Sequence, residues 1–185
     1  TRDGSYGWKI STERAGKSLA NAIAAGKSSV DAKADIYGIG YNHRGTGYGV
    51  TENNGIGNTY AVISIADQHA WFYKNGKCVD DVDVVTGKMS NKADQTPKGV
   101  WYIMYKQSPS VLKGTSDNGS KYSSKVQYWA QFTDSGCGFH DASWRHNWSK
   151  TAYLNDGSNG CANMHPSDAA GAYNSLEVNE PVIIY

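Results

Sequence analysis

The sequence predicts a mostly β domain with a small helical segment at its N-terminal end and a short helix near its C-terminal end. Three observations predict it. Thirteen Tyr, six Trp and twenty-one Gly suit pleated strands joined by many turns. From residue 59 onward, short apolar or aromatic runs alternate with turn-forming residues. Only two stretches repeat their apolar residues at helical spacing.

The first of these runs from Ser11 to about Ala25, where Ala15, Leu19, Ala22 and Ile23 make one stripe. Ser11 or Thr12 can cap its start and Gly26 can stop it. Residues 27–58 are rich in Gly, Asn, Ser and Tyr and have no strong period. The turn-forming run TENNGIGN (51–58) marks a join near Asn58. The chain therefore reads as an N-terminal segment, 1–55, followed by a main domain, 56–185.

In the main domain TYAVISIA (59–66) alternates as a strand does. HAWFYK (69–74), Asn75-Gly76 and KCVDDVDVVTG (77–87) predict a hairpin on a type I′ turn, whose two central residues need positive φ. Thr96-Pro97-Lys98-Gly99 forms a tight turn leading into GVWYIMY (99–105), read as one core strand. Residues 107–125, mostly Ser, Gly, Lys and Asp, predict a mobile loop. VQYWAQF (126–132) is a further aromatic strand. The second helix is expected from about Pro166 to Glu177, on Ala169, Tyr173 and Leu176, and PVIIY (181–185) closes as a strand.

Composition excludes several functions. Eighteen basic and seventeen acidic residues nearly cancel, and no basic run exceeds two residues, so nucleic acid is not an expected partner. No stretch approaches the roughly 20 apolar residues that cross a bilayer, so no membrane contact is expected of this segment itself. The chain opens at TRDGSYGWKI with no signal peptide, like a piece cut from a longer protein, so any anchor or signal of the parent is expected upstream. Cys78, Cys137 and Cys161 are too few for a disulfide framework and have no zinc-ligand spacing. No metal or cofactor is expected.

Chemistry concentrates in Gly138-Phe139-His140-Asp141-Ala142-Ser143-Trp144 and Ser158-Asn159-Gly160-Cys161-Ala162-Asn163-Met164. A nucleophilic cysteine needs a base nearby and backbone donors for an oxyanion. His140 offers a base that titrates near neutrality. Gly160 opens the backbone beside Cys161 to a substrate carbonyl. Taken alone, Cys161 reads more readily as a small buried hydrophobe and His140 as a structural histidine, because spacing does not show that they meet. Cys137 reads as an inward-packing strand residue, a disulfide partner or a second thiol near the site. Cys78 reads as inert, and His43, His69, His146 and His165 as surface or packing residues.

IGNTYAVISI, VVTG, TPKGVWYI, GFHDASW, SNGCANM and VNEPVIIY occur in the order found in the L,D-transpeptidase catalytic domain of the YkuD type. The region from about Ile56 to Tyr185 resembles that family, and its subgroup from Gram-positive bacteria. The family signature is a His, a gap of about twenty residues, then Ser/Thr-His-Gly-Cys, a hydrophobic residue and Asn or Arg. Here His140 precedes Cys161 by twenty-one positions. Asn159 stands where the family usually has His. Since the upstream His is generally the base, the change implies altered substrate binding or pH dependence rather than loss of chemistry.

The resemblance implies a sandwich-like fold with a short helix after the catalytic cysteine. It implies that Cys161 attacks the third residue of a peptidoglycan stem tetrapeptide, releasing D-Ala, and that His140 moves the proton. Gly160 and Cys161 would supply oxyanion donors, and Asp141, Ser143 or a backbone carbonyl would orient His140. Ser158, Asn159 and Asn163 would line the substrate site. Tyr128 and Trp129 match an aromatic stretch near the family's site, with core packing equally open to them, and His146 and Trp148 fall between the motifs. A neighbouring stem's amine would then form a 3→3 cross-link, at the outer face of the cell envelope, in a monomer open to capture by carbapenems. An L,D-carboxypeptidase and a non-catalytic wall-binding module are the alternatives. Residues 1–55 faintly resemble the end of a peptidoglycan-binding or spacer domain that precedes the catalytic one in some relatives.

Overall fold

The structure, a computed structural model, describes residues 4, 6, 9–31, 36–37, 52–115 and 119–185; His43 lies outside them. The chain divides into two compact units, residues 6–57 and residues 58–185 with 1–5. In the first, β1 (Lys9–Ile10) pairs antiparallel with β2 (Ile36–Tyr37), and α1 spans Thr12–Ala24. Ser11 caps α1 by accepting from the Arg14 amide, as its short polar side chain allows. The apolar stripe of α1 is present but not buried. Only Ala22 is enclosed, while Leu19 and Ile23 are 53 % and 69 % exposed. Periodicity fixed the helix and its cap, but burial needs a partner surface that a local pattern does not reveal.

The larger unit contains β3 (Tyr60–Ser64), β4 (His69–Lys74), β5 (Lys77–Val85), β6 (Gly99–Tyr102), β7 (Tyr105–Gln107), β8 (Ser110–Thr115), β9 (Lys121–Val126), β10 (Trp129–Gln131), β11 (Gly138–Asp141), β12 (Ala162–Met164), α2 (Ala169–Ser175) and β13 (Pro181–Ile184). Nine strands make one mixed sheet in the order β6-β13-β3-β4-β5-β12-β11-β10-β7. Asn75 and Gly76 both take positive φ, 50° and 77°, in the two-residue turn between β4 and β5. The long strand β5 serves both halves of the sheet, pairing with β4 through Asp83 and with β12 at Val84 and Val85.

The expected single strand at 99–105 is two. β6 and β7 lie at opposite edges of the sheet, yet only Ile103 and Met104 separate them. The sheet must therefore curl until its edges almost meet. The Ile103 amide donates to Glu180 O and the Met104 amide to Gln131 O, one bond to each layer. An unbroken apolar run reads as one buried strand, and nothing in its period marks a crossing between layers. The layers enclose Phe72, Phe132 and Phe139, with ring centroids 5.3–5.5 Å apart along the chain of contacts. Burying each ring contributes about 2 kcal/mol or more.

The mobile loop expected at 107–125 is instead mostly strand. β8 and β9 pair antiparallel from Ser110–Val126 to Thr115–Lys121. Exposed and half-buried residues alternate along β8, so the hairpin has no apolar face to announce it. The second helix is shorter than expected, beginning at Ala169 rather than near Pro166. Ala169, Ala172 and Leu176 are buried against the sheet, and Tyr173 packs on it partly exposed. Among the described residues no helix is long and apolar enough to cross a membrane.

Glu180, at the turn before β13, is 6 % exposed and pairs with Lys74 Nζ at 2.7 Å. Its Oε1 is buried without a partner. Burial outweighs the lysine and pushes the carboxyl up to about 7. The folded protein thus holds a proton that the unfolded chain loses near 4.5, so stability is present below that range and declines as pH rises through 7. Unfolding free energies from urea denaturation are expected to fall between pH 5 and 8 by on the order of 2 kcal/mol, and Glu180→Gln to flatten that slope. Equal slopes in both proteins would contradict the assignment.

Candidate active site

β11 and β12 run side by side in parallel, with His140 opposite Asn163. Side chains alternate across a strand, so Cys161, two residues before Asn163, projects to the same face as both. All three line one cavity of about 480 Å³. Trp129 and Trp144 flank the imidazole, with ring centroids 5.9 and 5.7 Å away. The β8–β9 hairpin forms another part of the wall through Leu112, Lys113 and Tyr122.

A chain of hydrogen bonds fixes the imidazole. Nδ1 lies 2.9 Å from the Asp141 carbonyl oxygen, which only accepts, so Nδ1 carries the hydrogen and Nε2 the lone pair. Asn163 Nδ2 donates to Nε2 at 3.0 Å, and Arg145 Nε donates to Asn163 Oδ1 at 3.0 Å. Arginine can only donate, so the amide cannot be reversed without losing both contacts. The result is an imidazole in the tautomer a general base requires.

Neither partner is charged at rest. Burial pushes the Cys161 thiol up to about 12, with Cys137 adding to the rise and the Gly138 amide opposing it. Burial also lowers the His140 pKa, against the Asp141 carbonyl and carboxylate, with Arg145 lowering it further. Cys161 Sγ donates its proton toward Gly136 O at 3.8 Å. A thiol and a neutral imidazole therefore line the same cavity.

The turn carrying Cys161 is held from three sides. Ser158 Oγ donates to Cys161 O at 2.5 Å and accepts from the Gly160 amide at 3.1 Å. Gly160 adopts φ 110°, and a Cβ there would lie 2.7 Å from Cys137 Sγ. Thr96 Oγ1 donates to Gly160 O and accepts from the Gly87 amide, both at 2.8 Å. Pro97 keeps Thr96 extended, as the residue before a proline prefers. Thr96→Val would leave a buried donor and a buried acceptor unpaired. It is expected to destabilise the protein by about 2–4 kcal/mol, read from chemical denaturation. A loss below about 0.5 kcal/mol would show that the two groups find other partners.

A model of the YkuD family, the L,D-transpeptidase catalytic domain, matches residues 58–184. The chain belongs to this family. Among solved structures it is similar to a cysteine-to-serine mutant of the Enterococcus faecium L,D-transpeptidase, at 32 % identity and TM-score 0.73, over 100 % of this chain and 68 % of that one. The Ldtfm-avibactam carbamoyl enzyme matches at 31 % identity and TM-score 0.72, over 98 % of this chain and 66 % of its own, so the chain spans about two thirds of its length. The catalytic domain of the E. faecium enzyme acylated by ertapenem matches at 35 % identity and TM-score 0.60, over 69 % of this chain and 97 % of that one. No curated protein matches.

In this L,D-transpeptidase domain the expected site residues separate into two groups. Cys161, His140, Ser158, Asn159, Asn163 and Trp129 line the cavity, and Gly160 shapes the turn beneath it. Three do not. Asp141 turns its carboxylate away to accept from the Gln127 and Tyr128 amides, both at 2.8 Å, so it orients His140 through its carbonyl alone. Ser143 is exposed and makes no hydrogen bond among the described residues, because it sits on the turn beyond the strand that aims His140. Tyr128 packs at a tilt on Tyr173, with ring centroids 5.1 Å apart, and against the core, since alternation sends it to the opposite face from Trp129.

Cys137 is buried in the core with its sulfur against Gly160, and Cys78 is exposed; all three thiols are free. His69 bonds Asp81 and Asp83, His165 stacks on Trp148, and His146 is exposed. Sequence reading passed over Arg145 and Trp144 as site residues and missed the structural role of Thr96. Arg145 and Trp144 follow directly on the His140 motif, where a turn after the strand returns them to the cavity. Among the described residues no three His, Cys, Asp or Glu side chains gather as metal ligands would.

Proposed function

We propose that this domain is a cysteine L,D-transpeptidase that forms 3→3 cross-links between peptidoglycan stems. The observation that carries the reading is the His140 ring, whose Nδ1–H is tied to the Asp141 carbonyl and whose Nε2 accepts from Asn163 Nδ2 in the wall of the cavity shared with the Cys161 thiol. Cys161 Sγ attacks the carbonyl of the third residue of a tetrapeptide stem while His140 Nε2, once released by the Asn163 amide, takes its proton. The Cys161 amide holds the oxyanion, joined by the Gly160 amide once it leaves Ser158 Oγ. Collapse of the tetrahedral intermediate breaks the peptide bond, and His140 returns the proton to the departing D-Ala amine. A stem amine then attacks the thioester, restoring the thiol and forming the cross-link.

The same attack on a strained lactam explains why relatives carry ertapenem or imipenem, and carbapenem capture of Cys161 is expected here. The site of action is the cell wall. Residues 1–55 are read as the end of a preceding domain, supported by the E. faecium structure that matches all of this chain rather than 69 % of it.

The test is mass spectrometry of the protein with purified disaccharide-tetrapeptides carrying L-Lys or meso-diaminopimelate at position three. An acyl adduct with loss of D-Ala, followed by cross-linked dimers, is expected. Tripeptide without dimers would make it an L,D-carboxypeptidase. No adduct with either donor, alongside retained binding of wall fragments, would replace the enzyme with a binding module in which Asn159 marks lost activity.

A further inference from the structure

Arg145 orients Asn163 but touches no reacting atom in the chemistry just described, yet it is among the most enclosed cations of the domain, with its side chain 8 % exposed. Nε is spent on Asn163 Oδ1 and Nη1 on Asp156 O. Nη2 has no partner among the described residues and is not sealed from solvent. The Asp156 carboxylate, 64 % exposed and 3.7 Å from Nη1, is too distant and too well hydrated to neutralise the guanidinium. The cavity wall that Arg145 joins contains a second cation, Lys113, and no Asp or Glu. Lys113 is exposed on the hairpin, so its charge is screened, whereas that of Arg145 is not.

We propose that Arg145 is the specificity residue that binds the terminal carboxylate of the D-alanine to be released, an inference that rests on the transpeptidase reading. Its place relative to the base selects that carboxylate. Arg145 reaches His140 through a single amide, Asn163, with one hydrogen bond on each side. The amine that His140 Nε2 must protonate and the carboxylate of the same D-alanine are separated by one carbon. A leaving group seated at Nε2 therefore extends its carboxylate along Asn163 toward the guanidinium. The planar fork of arginine suits that anion, and a half-used guanidinium is what such a subsite needs before it fills. A stem one residue longer would put a neutral peptide group there, so the subsite favours donors that end at the released residue.

The experiment measures equilibrium binding to Cys161→Ala protein, which does not depend on the reaction, and acylation rates with wild-type protein. Three donors are compared: the tetrapeptide acid with D-isoglutamine at position two, its C-terminal carboxamide, and the acid with D-glutamate at position two. The acid is expected to bind and acylate ~10- to 100-fold better than the carboxamide. Arg145→Gln should remove the preference, bringing acid and carboxamide to one level with the larger loss on the acid, and be partly rescued by Arg145→Lys. Position two should have no effect.

Equal use of acid and carboxamide by the wild type overturns the proposal. So does an equal loss on both donors in Arg145→Gln, which would mark a structural role. Discrimination at position two instead would assign the arginine to the other carboxylate and overturn it as well. Discrimination in binding without acylation of the wild type by any donor would leave the subsite standing and remove the transpeptidase.

Discussion

Cys161→Ala is expected to abolish acylation by stem tetrapeptides and carbapenems, a fall on the order of 10⁴- to 10⁶-fold, while the protein stays folded. The two effects are separable because the sulfur contributes little to the fold. Its hydrogen bond to Gly136 O is long, at 3.8 Å, and it borders the cavity rather than the core. Unfolding free energy should stay within about 1 kcal/mol of wild type. Intact mass after incubation with a carbapenem, beside chemical denaturation of the same sample, reads both. An adduct that survives in the variant would move the nucleophile elsewhere, and Cys137, 8 % exposed beneath the turn, would be the first thiol to examine.

His140→Gln should lower the acylation rate at pH 7 by about 10²- to 10⁴-fold, the range for loss of a positioned general base. The pH profile carries more information than the single rate. Burial holds the imidazole pKa below its ordinary 6.5, so the wild-type rate should rise with pH on a limb centred below that value. Above it the rate should be level, with no second rise near the usual thiol range, because the Cys161 thiol ionises only at about 12. In the glutamine variant the acid limb should vanish and the rate should climb with alkali as thiolate forms unaided. The loss of β-lactam absorbance gives these rates directly. An acid limb at or above 6.5 would mean that solvent reaches the ring, and an undiminished variant would remove His140 from the role of base.

Much of this was legible in the chain because it is encoded locally. The Asn75-Gly76 turn, the Ser11 cap and the alternation of β3 depend on neighbours in sequence, and each is where its pattern put it. The pairing of His140 with Cys161 came from the order of family motifs, since twenty-one residues of spacing say nothing about contact. What stayed hidden depends on distant partners. The division of 99–105 into two strands follows from Glu180 and Gln131 on opposite layers. The β8–β9 hairpin is held by backbone pairing with almost no apolar signal. Among site residues, Ser143 and Tyr128 miss the cavity for reasons of strand phase, which a one-residue shift in a predicted boundary reverses. Arg145 was passed over because a buried arginine looks in sequence like any surface cation.

Sheets usually end in strands whose unused amides and carbonyls can recruit another chain. Here the outermost strands are only four and three residues long, and the chain passes from one to the other across Ile103 and Met104. Most of the backbone polar groups of that linker are consumed in tying the two rims together. The sheet consequently offers little template for strand addition by a second copy or by a misfolded neighbour. A curl that serves to bring two layers over one core also shields the nine-stranded sheet from growing into a fibril by its own edges.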